Sequence, residues 1–380
     1  MIVPFHKVSL AGNESAFICD ALTNNSWATE NSKTLRFLSN YFHPSKIYFT
    51  SSCSAALDVA IRALGISNGD EVIIPAFGYV AVANAVSING ATPVFADVLR
   101  DNGNIDIRSI ENRITSKTKA VIAIHYGGNP IDLQDLLALC NEKKIYLIED
   151  AAQAFGAHYN GKPLGLFGHI GCISFDYMKN ISCGQGGLLI VNDQQLVPRV
   201  QVIYDNGTNR QDMIDGKVQH FEWVGNGNNY KINPLATYFL EAQIQKLQEI
   251  TQNRLASWES YYEQLLQVSN AGHIALPQVS AGHNGHIFYV ILKTAEKRNQ
   301  LRTYLNEKGV FAECHYTSLP ASVFGKQFTC SEHLYSNADR FCNCLLRLPL
   351  WNTISGDEIK KVTDEIAAFF DINENSKSPS

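Results

Sequence analysis

Cysteine pairs at the short spacing of zinc or redox sites are missing from this chain, which argues against the commonest metal and dithiol chemistries. The cysteines number nine: Cys19, Cys53, Cys140, Cys172, Cys183, Cys314, Cys330, Cys342 and Cys344. An odd set without paired spacing reads as reduced, mostly packed thiols in a reducing compartment, and no metal site is expected. A basic excess is missing too. With 31 Lys and Arg against 36 Asp and Glu, the net charge is -5, so free DNA or RNA is not an expected partner. No apolar run reaches about eighteen residues, and the first residues, Met1-Ile2-Val3-Pro4-Phe5-His6-Lys7, show no basic segment leading into an apolar one. The expectation is a cytoplasmic protein with no membrane partner. What is present is ordinary for a soluble enzyme: 380 residues, 45% hydrophobic and 18% charged. That length can bury a large core and suggests two or three domains.

Strand-like apolar runs alternate with helical patterns through the first half of the chain. The runs are Lys46 to Phe49, Glu71 to Ile74, Pro93 to Asp97, Ala120 to Ile124, Ile145 to Glu149, Cys172 to Phe175 and Leu188 to Val191. Between them, Ala55 to Leu64 carries Leu57, Ala60, Ile61 and Leu64 at helical spacing, and Leu133 to Asn141 is a second helical stretch. Such alternation predicts an α/β fold, a mainly parallel seven-stranded sheet between helices, with ligands gathered at the strands' carboxyl ends. Residues 205–231, rich in Asn and Gly, should form an irregular loop, and a loop of that length is usually functional. A long helix from Pro234 to Gln267 follows. Strands over Ile287 to Leu292 and Phe311 to His315, a helix from Arg298 to Lys308 and a last helix from Asp357 to Phe370 predict a small α+β C-terminal unit. The polar tail 373–380 reads as disordered.

Two residues carry the chemistry. Asp150 closes the apolar run Ile145 to Glu149, and Lys179 follows Ser174 beyond the end of the next predicted strand, Cys172 to Phe175. An acid and a lysine at neighbouring strand ends suit pyridoxal 5'-phosphate (PLP). The lysine would carry the cofactor as a Schiff base, and the carboxylate would keep the pyridine nitrogen protonated so that the ring accepts electrons. Ser52-Cys53-Ser54 opens a helix straight after a strand, where free amides and hydroxyls make a phosphate cradle. Ser174 offers a second phosphate ligand. Tyr79, just past another strand end, could lie on the cofactor ring, although for a single aromatic core packing is the better explanation. His125 and Arg210 could meet substrate, as a polar contact and an anion ligand; a buried structural histidine and a surface charge account for them equally well.

With these elements in order, the chain from Thr50 to about Leu247, and more weakly to its C-terminus, resembles the nucleotide-sugar aminotransferases, a fold-type-I PLP family. Ser52-Cys53-Ser54-Ala55-Ala56-Leu57, Gly69-Asp70-Glu71-Val72-Ile73-Ile74-Pro75, Glu149-Asp150-Ala151-Ala152-Gln153, Gly168-His169-Ile170-Gly171-Cys172, Lys179-Asn180 and Gly186-Gly187 carry the resemblance. It implies a large PLP domain over 1–250 and a small domain over 251–372. It also implies that Lys179 and Asp150 are catalytic and that Gln153 contacts the ring hydroxyl. Tyr79 would stack on the ring, and Cys53, Ser54 and Ser174 would bind the phosphate. Asn229, in Asn229-Tyr230-Lys231, would reach the phosphate of a neighbouring subunit, which implies a homodimer with shared sites. His315 and Tyr316 fall where the family contacts substrate.

The expected reaction takes the amino group of L-glutamate to the keto carbon of a nucleotide-linked keto-deoxy sugar. Gly207-Thr208-Asn209-Arg210, Trp258 with Tyr261-Tyr262, and Arg347-Leu348-Pro349-Leu350 look most like the branch that converts dTDP-4-keto-6-deoxyglucose to a dTDP-4-amino-4,6-dideoxyhexose. Three positions depart from the pattern: Gln185 stands for a Glu, Ser318 for a Pro and Pro320 for a His, all near the expected sugar site. Alternatives of the same fold are amination at C3, a sugar dehydratase, in which a His replaces the lysine, and a non-catalytic regulator.

Overall fold

The chain is described from a computed structural model covering residues 1–329 and 335–375; Cys330 and residues 376–380 of the polar tail lie outside that range. Strands β1 (Lys46–Thr50), β2 (Glu71–Pro75), β3 (Thr92–Ala96), β4 (Thr118–Ile124) and β5 (Tyr146–Asp150) come first. A two-residue hairpin, β6 (His158–Tyr159) and β7 (Lys162–Pro163), precedes β8 (Ile170–Ser174) and β9 (Gly187–Val191). All seven expected strands exist, each within about two residues of the predicted bounds. They form one sheet in the order β1-β9-β8-β5-β4-β2-β3. Only β9 runs against its neighbours; β8, β5, β4, β2 and β3 are mutually parallel.

Burial on both faces explains why these strands read as unbroken apolar runs rather than alternating ones. Alternate residues go to opposite layers. Val72, Ile74, Ile122, Ile148 and Leu189 pack with helix Cys53–Ala63 on one face. Ile73, Val121, Leu147, Ile173 and Leu188 pack with helices Leu133–Lys143 and Pro234–Gln245 on the other.

Two predictions for the C-terminal half need correction. The single helix expected over Pro234 to Gln267 is two, Pro234–Gln245 and Leu247–Asn270, parted at Lys246. The strand expected at Phe311 to His315 does not form: the segment runs between the N-terminal residues and the next strand, making one-residue bridges of Val310 to Val3 and Glu313 to Arg347. The strand role belongs instead to Leu345–Leu348. With β10 (Ile274–Ala275) and β11 (Phe288–Leu292) it forms β12 of a three-stranded antiparallel sheet. Helices Ala295–Glu307 and Gly356–Asn375 flank that sheet, over a separate core that includes Trp258, Tyr261, Phe288 and Trp351. Loop 205–231 is irregular apart from the short helix Arg210–Ile214. Among the described residues no helix is long and apolar enough to cross a membrane.

One buried carboxylate sets the geometry between β5 and β8. The Oε1 of Glu149 accepts the Phe167 and Gly168 amides at 2.6 Å each, and its Oε2 accepts the Gly165 amide at 2.9 Å and His125 Nε2 at 3.0 Å. Burial pushes this carboxyl up, but the His125 bond and charge and the backbone amides outweigh it and hold it below the usual carboxylate range. The turn before β8 is therefore clamped to the end of β5. Glu149→Gln presents an NH₂ where an acceptor is needed, so it should lower unfolding free energy by about 3 to 5 kcal/mol, the usual effect of breaking a buried ionic network. A urea titration checks this, and a loss under about 1 kcal/mol would mean the clamp is not needed.

Candidate active site

The strand ends of the large sheet deliver their side chains to one edge. The turn after β1 brings Ser52 to Ser54, β5 ends on Asp150, and β8 ends on Ser174 with Lys179 close behind. Because β9 is antiparallel, it starts at this same edge with Gln185 to Gly187. From the C-terminal half come His286 ahead of β11, the pair His315-Tyr316, and Arg347 in β12. Together they enclose a cavity of about 500 Å³.

At one end lies the turn Ser52–Ser54. Ser52 caps helix Cys53–Ala63, its Oγ accepting the Ala55 amide at 3.1 Å. The first-turn amides of Cys53 and Ser54 have no acceptor inside the helix and point to its N-terminal side, where an anion is favoured. Gly187 is required here. A Cβ at that position would sit 2.4 Å from the Ser52 carbonyl carbon and 2.6 Å from the Cys53 nitrogen. Burial, with smaller effects from Asp150 and Cys172, pushes the Cys53 thiol well up, so it serves as a neutral group rather than a nucleophile.

Asp150 and Lys179 face the same cavity with opposite shifts. Burial pushes the Asp150 carboxyl up, only partly offset by the Ala152 amide at 3.0 Å and the Lys179 charge. Burial pushes the Lys179 amine down, against the pull of Cys53, Asp150 and Asp176. Each group is thus biased toward its neutral form. A protonated pyridine nitrogen supplies the cation that Asp150 lacks, and a carbonyl carbon suits an amine held with its lone pair free. The residues present therefore fit PLP. Gln153 is fixed at both ends, its Oε1 accepting the Gly127 amide at 2.7 Å and its Nε2 donating to Tyr316 Oη at 3.0 Å. That leaves the Tyr316 hydroxyl proton free to donate into the cavity, and burial keeps it in place by pushing the phenol up to about 12.

Of the residues singled out in the sequence, Cys53, Ser54, Tyr79, Asp150, Gln153, Ser174, Lys179, His315 and Tyr316 line this one cavity, and so does Gln185. Three do not. His125 is wholly buried, with Nε2 on Glu149 and Nδ1 accepting the Ile131 amide at 3.4 Å; both ring nitrogens are committed, so it cannot touch substrate. Arg210 lies over the Phe221 ring at 4.8 Å on an exposed helix. Asn229 sits on the exposed loop, its backbone amide on Asn228 Oδ1 and its own Oδ1 accepting the Lys231 amide at 3.4 Å, and it does not line this cavity. Ser318 and Pro320 are buried in a loop whose Leu319 amide donates to the Ala76 carbonyl, and they do not line the cavity either. In the sequence, Arg347 stood out only as part of the motif Arg347-Leu348-Pro349-Leu350 and His286 was not singled out; both line the cavity. His286 holds the lysine's neighbour, its Nδ1 at 2.8 Å from Asn180 Oδ1.

A family model described as the DegT/DnrJ/EryC1/StrS aminotransferase family matches residues 11–367. The chain belongs to this family. It is 27% identical over 379 residues to the GDP-perosamine synthase of Escherichia coli O157:H7, covering 97% of this chain and 98% of that protein. With the dTDP-4-dehydro-2,3,6-trideoxy-D-glucose 4-aminotransferase of Saccharopolyspora spinosa it shares 28% over 389 residues, covering 100% and 99%. Among solved structures, Spr1654 of Streptococcus pneumoniae in its PMP form superposes over 100% of both chains with a TM-score of 0.90 at 23% identity, so the fold is shared. The chain is accordingly an aminotransferase of the nucleotide-sugar type, with the expected mainly parallel sheet of seven strands.

Proposed function

We propose that this PLP-dependent enzyme moves the amino group of L-glutamate to C4 of a nucleotide-linked 4-keto-deoxy sugar, in the first instance dTDP-4-keto-6-deoxyglucose. The observation that carries the reading is the pairing of Asp150 and Lys179, oppositely shifted, in one cavity beside the Ser52–Ser54 turn. Bound PLP supplies an electron-withdrawing ring that stabilises negative charge on the carbon losing a proton. Asp150 provides the anion that keeps the ring nitrogen protonated. Lys179 Nζ, its basicity lowered by burial, is free to take the proton from the donor's Cα and, in the second half-reaction, to give one to the sugar carbon receiving nitrogen. A histidine at position 179 would suit dehydration instead, and the lysine argues for amino transfer. Amination at C4 and the dTDP carrier follow the sequence branch described above. A GDP-linked sugar is the second reading, supported by the perosamine synthase among the relatives.

Holoenzyme given glutamate should lose its near-visible absorbance, and the aminated form should then turn over one carrier series of 4-keto sugars. Lys179→Ala should lower turnover by at least about a hundredfold, the usual scale of acid-base catalysis. Turnover of 3-keto but not 4-keto sugars would overturn the regiochemistry, and a Lys179→Ala enzyme of near-normal rate would overturn the site.

The active unit we propose is a homodimer in which Asn229 of one chain reaches the phosphate of the other. Asn229 is exposed, and the same loop carries Trp223 at 77% exposure, more apolar surface than a loop tip needs in a monomer. Asn229→Ala should weaken PLP binding roughly tenfold to a hundredfold, as for one hydrogen bond to a charged group. Co-expressed with Lys179→Ala, it should regain activity, because one of the two sites in a mixed dimer carries neither change. Absence of recovery, or an active monomer by sedimentation, would show that the loop serves its own chain.

A further inference from the structure

Two histidines line the cavity, and the protein itself engages both ring nitrogens of only one. His315 Nε2 lies 3.1 Å from Arg347 Nη1. A guanidinium can only donate, so Nε2 accepts and the His315 ring hydrogen sits on Nδ1, toward Tyr126 Oη at 3.3 Å. His286 is different. Its Nδ1 lies 2.8 Å from Asn180 Oδ1. The Asn180 amide is oriented by its other end, Nδ2 donating to the Asn284 carbonyl at 3.1 Å, so Oδ1 accepts and the His286 ring hydrogen is on Nδ1. Burial, then the charges of Lys179, Arg347 and Arg254, hold this ring well below the usual histidine range. Nε2 therefore carries a bare lone pair. Among the described residues none donates to it, and unlike Nε of Arg347 it is not sealed off from the cavity.

The ring is fixed in this orientation. The His286 amide donates to Asn284 Oδ1 at 3.1 Å, and its carbonyl accepts from Arg254 Nη2 at 2.6 Å. Asn284 is held in turn by the Gln153 and Phe155 carbonyls at 2.9 and 3.0 Å. The residue is only 2% exposed, so the open side of Nε2 is the cavity. A ligand that fills the cavity must bring a donor to this nitrogen or leave a buried acceptor unsatisfied, which is costly.

The two substrates differ in what they bring. Beside its reacting carbon the amino donor carries a carboxylate, which can only accept. The keto sugar carries hydroxyls, which can donate. His286 holds the residue next to Lys179, and after burial the Lys179 charge weighs most on its ring, so Nε2 stands near the carbon that receives nitrogen. In a 4-keto-6-deoxyhexose that carbon has two neighbours: C5, with the methyl and the ring oxygen, and C3, with a hydroxyl. We propose that His286 Nε2 accepts a hydrogen bond from the C3 hydroxyl of the keto sugar and so selects 3-hydroxy over 3-deoxy sugars. This rests on the reading that a 4-keto sugar is aminated. A neutral acceptor suits a cavity that must also admit the donor's carboxylates, because it repels them less than an ionised one would.

The test compares two sugars on three enzymes. Wild type should use the 3-deoxy analogue of its nucleotide-linked 4-keto sugar with a kcat/KM roughly tenfold to a hundredfold lower, the effect of one buried acceptor left unsatisfied. His286→Asn, whose amide reaches the position of Nδ1 but not that of Nε2, should keep the bond to Asn180 and bring the two sugars within about threefold of each other. His286→Gln, whose amide oxygen reaches the position of Nε2, should restore part of the preference. Loss of near-visible absorbance with glutamate should stay within about threefold of wild type in both variants. Calorimetry on holoenzyme with the unreactive nucleotide-linked 6-deoxyglucose should show binding to His286→Asn weakened about tenfold. Equal loss with both sugars would make His286 a support for Asn180 alone and overturn the proposal. A wild type that uses the 3-deoxy sugar as well as the 3-hydroxy one would overturn it too, even if neither variant folds. A wild type that aminates 3-keto sugars only would instead refute the 4-keto reading, and the C3 assignment with it, before any variant is made.

Discussion

Two consecutive carboxylates end β5, and the site depends on how differently they are satisfied. Strand geometry sends them to opposite faces of the sheet. Glu149 meets four donors and is held ionised. Asp150, one residue on, meets a single backbone amide at the cavity wall and is pushed toward protonation by burial. In low dielectric such a group either takes up a proton or acquires a cation. The first carboxylate fixes the turn that leads into β8, and β8 carries Ser174 and Lys179 to the same edge. The second is left needing what a protonated pyridine ring brings. Structural clamp and cofactor demand therefore come from adjacent residues of one strand.

The opposite requirement appears across the cavity. Lys179 and Arg347 put two basic groups in a cavity where burial holds His286 and His315 well below the usual histidine range, while Asp150 and Asp176 are the carboxylates along the same wall. The cavity thus offers positive charge on the lysine side and free helix amides at the Ser52–Ser54 turn. A substrate bearing no anion at the reacting carbon has to be recognised by hydroxyls such as that of Tyr316 and by surface outside the cavity.

Much of this was legible in the sequence, because it rests on local signals. Seven apolar runs became seven strands, since a sheet covered on both faces needs continuous hydrophobic stretches. Asp150, Ser174 and Lys179 could be placed because they stand at or just beyond the ends of such runs. Tertiary information was harder to read. His125 follows the apolar run Ala120 to Ile124 as Asp150 follows the run Ile145 to Glu149, and nothing local reveals that Glu149 claims its ring. Arg347 looked like part of an apolar motif because most of the residues that build its cavity lie more than a hundred positions away. Phe311 to His315 has strand-like composition, yet Leu345–Leu348 pairs with β11 in its stead. Partner choice in a sheet is set by the assembled core, which no window of sequence contains.

The account stands on Asp150 requiring a cationic ring nitrogen, and nitrogen-15 NMR of enzyme reconstituted with ring-labelled PLP reads that proton directly. Wild type at neutral pH should show the protonated, upfield-shifted nitrogen, and Asp150→Asn, with cofactor still bound, should show the unprotonated one. An unprotonated nitrogen in wild type, or a protonated one in both proteins, would contradict the account.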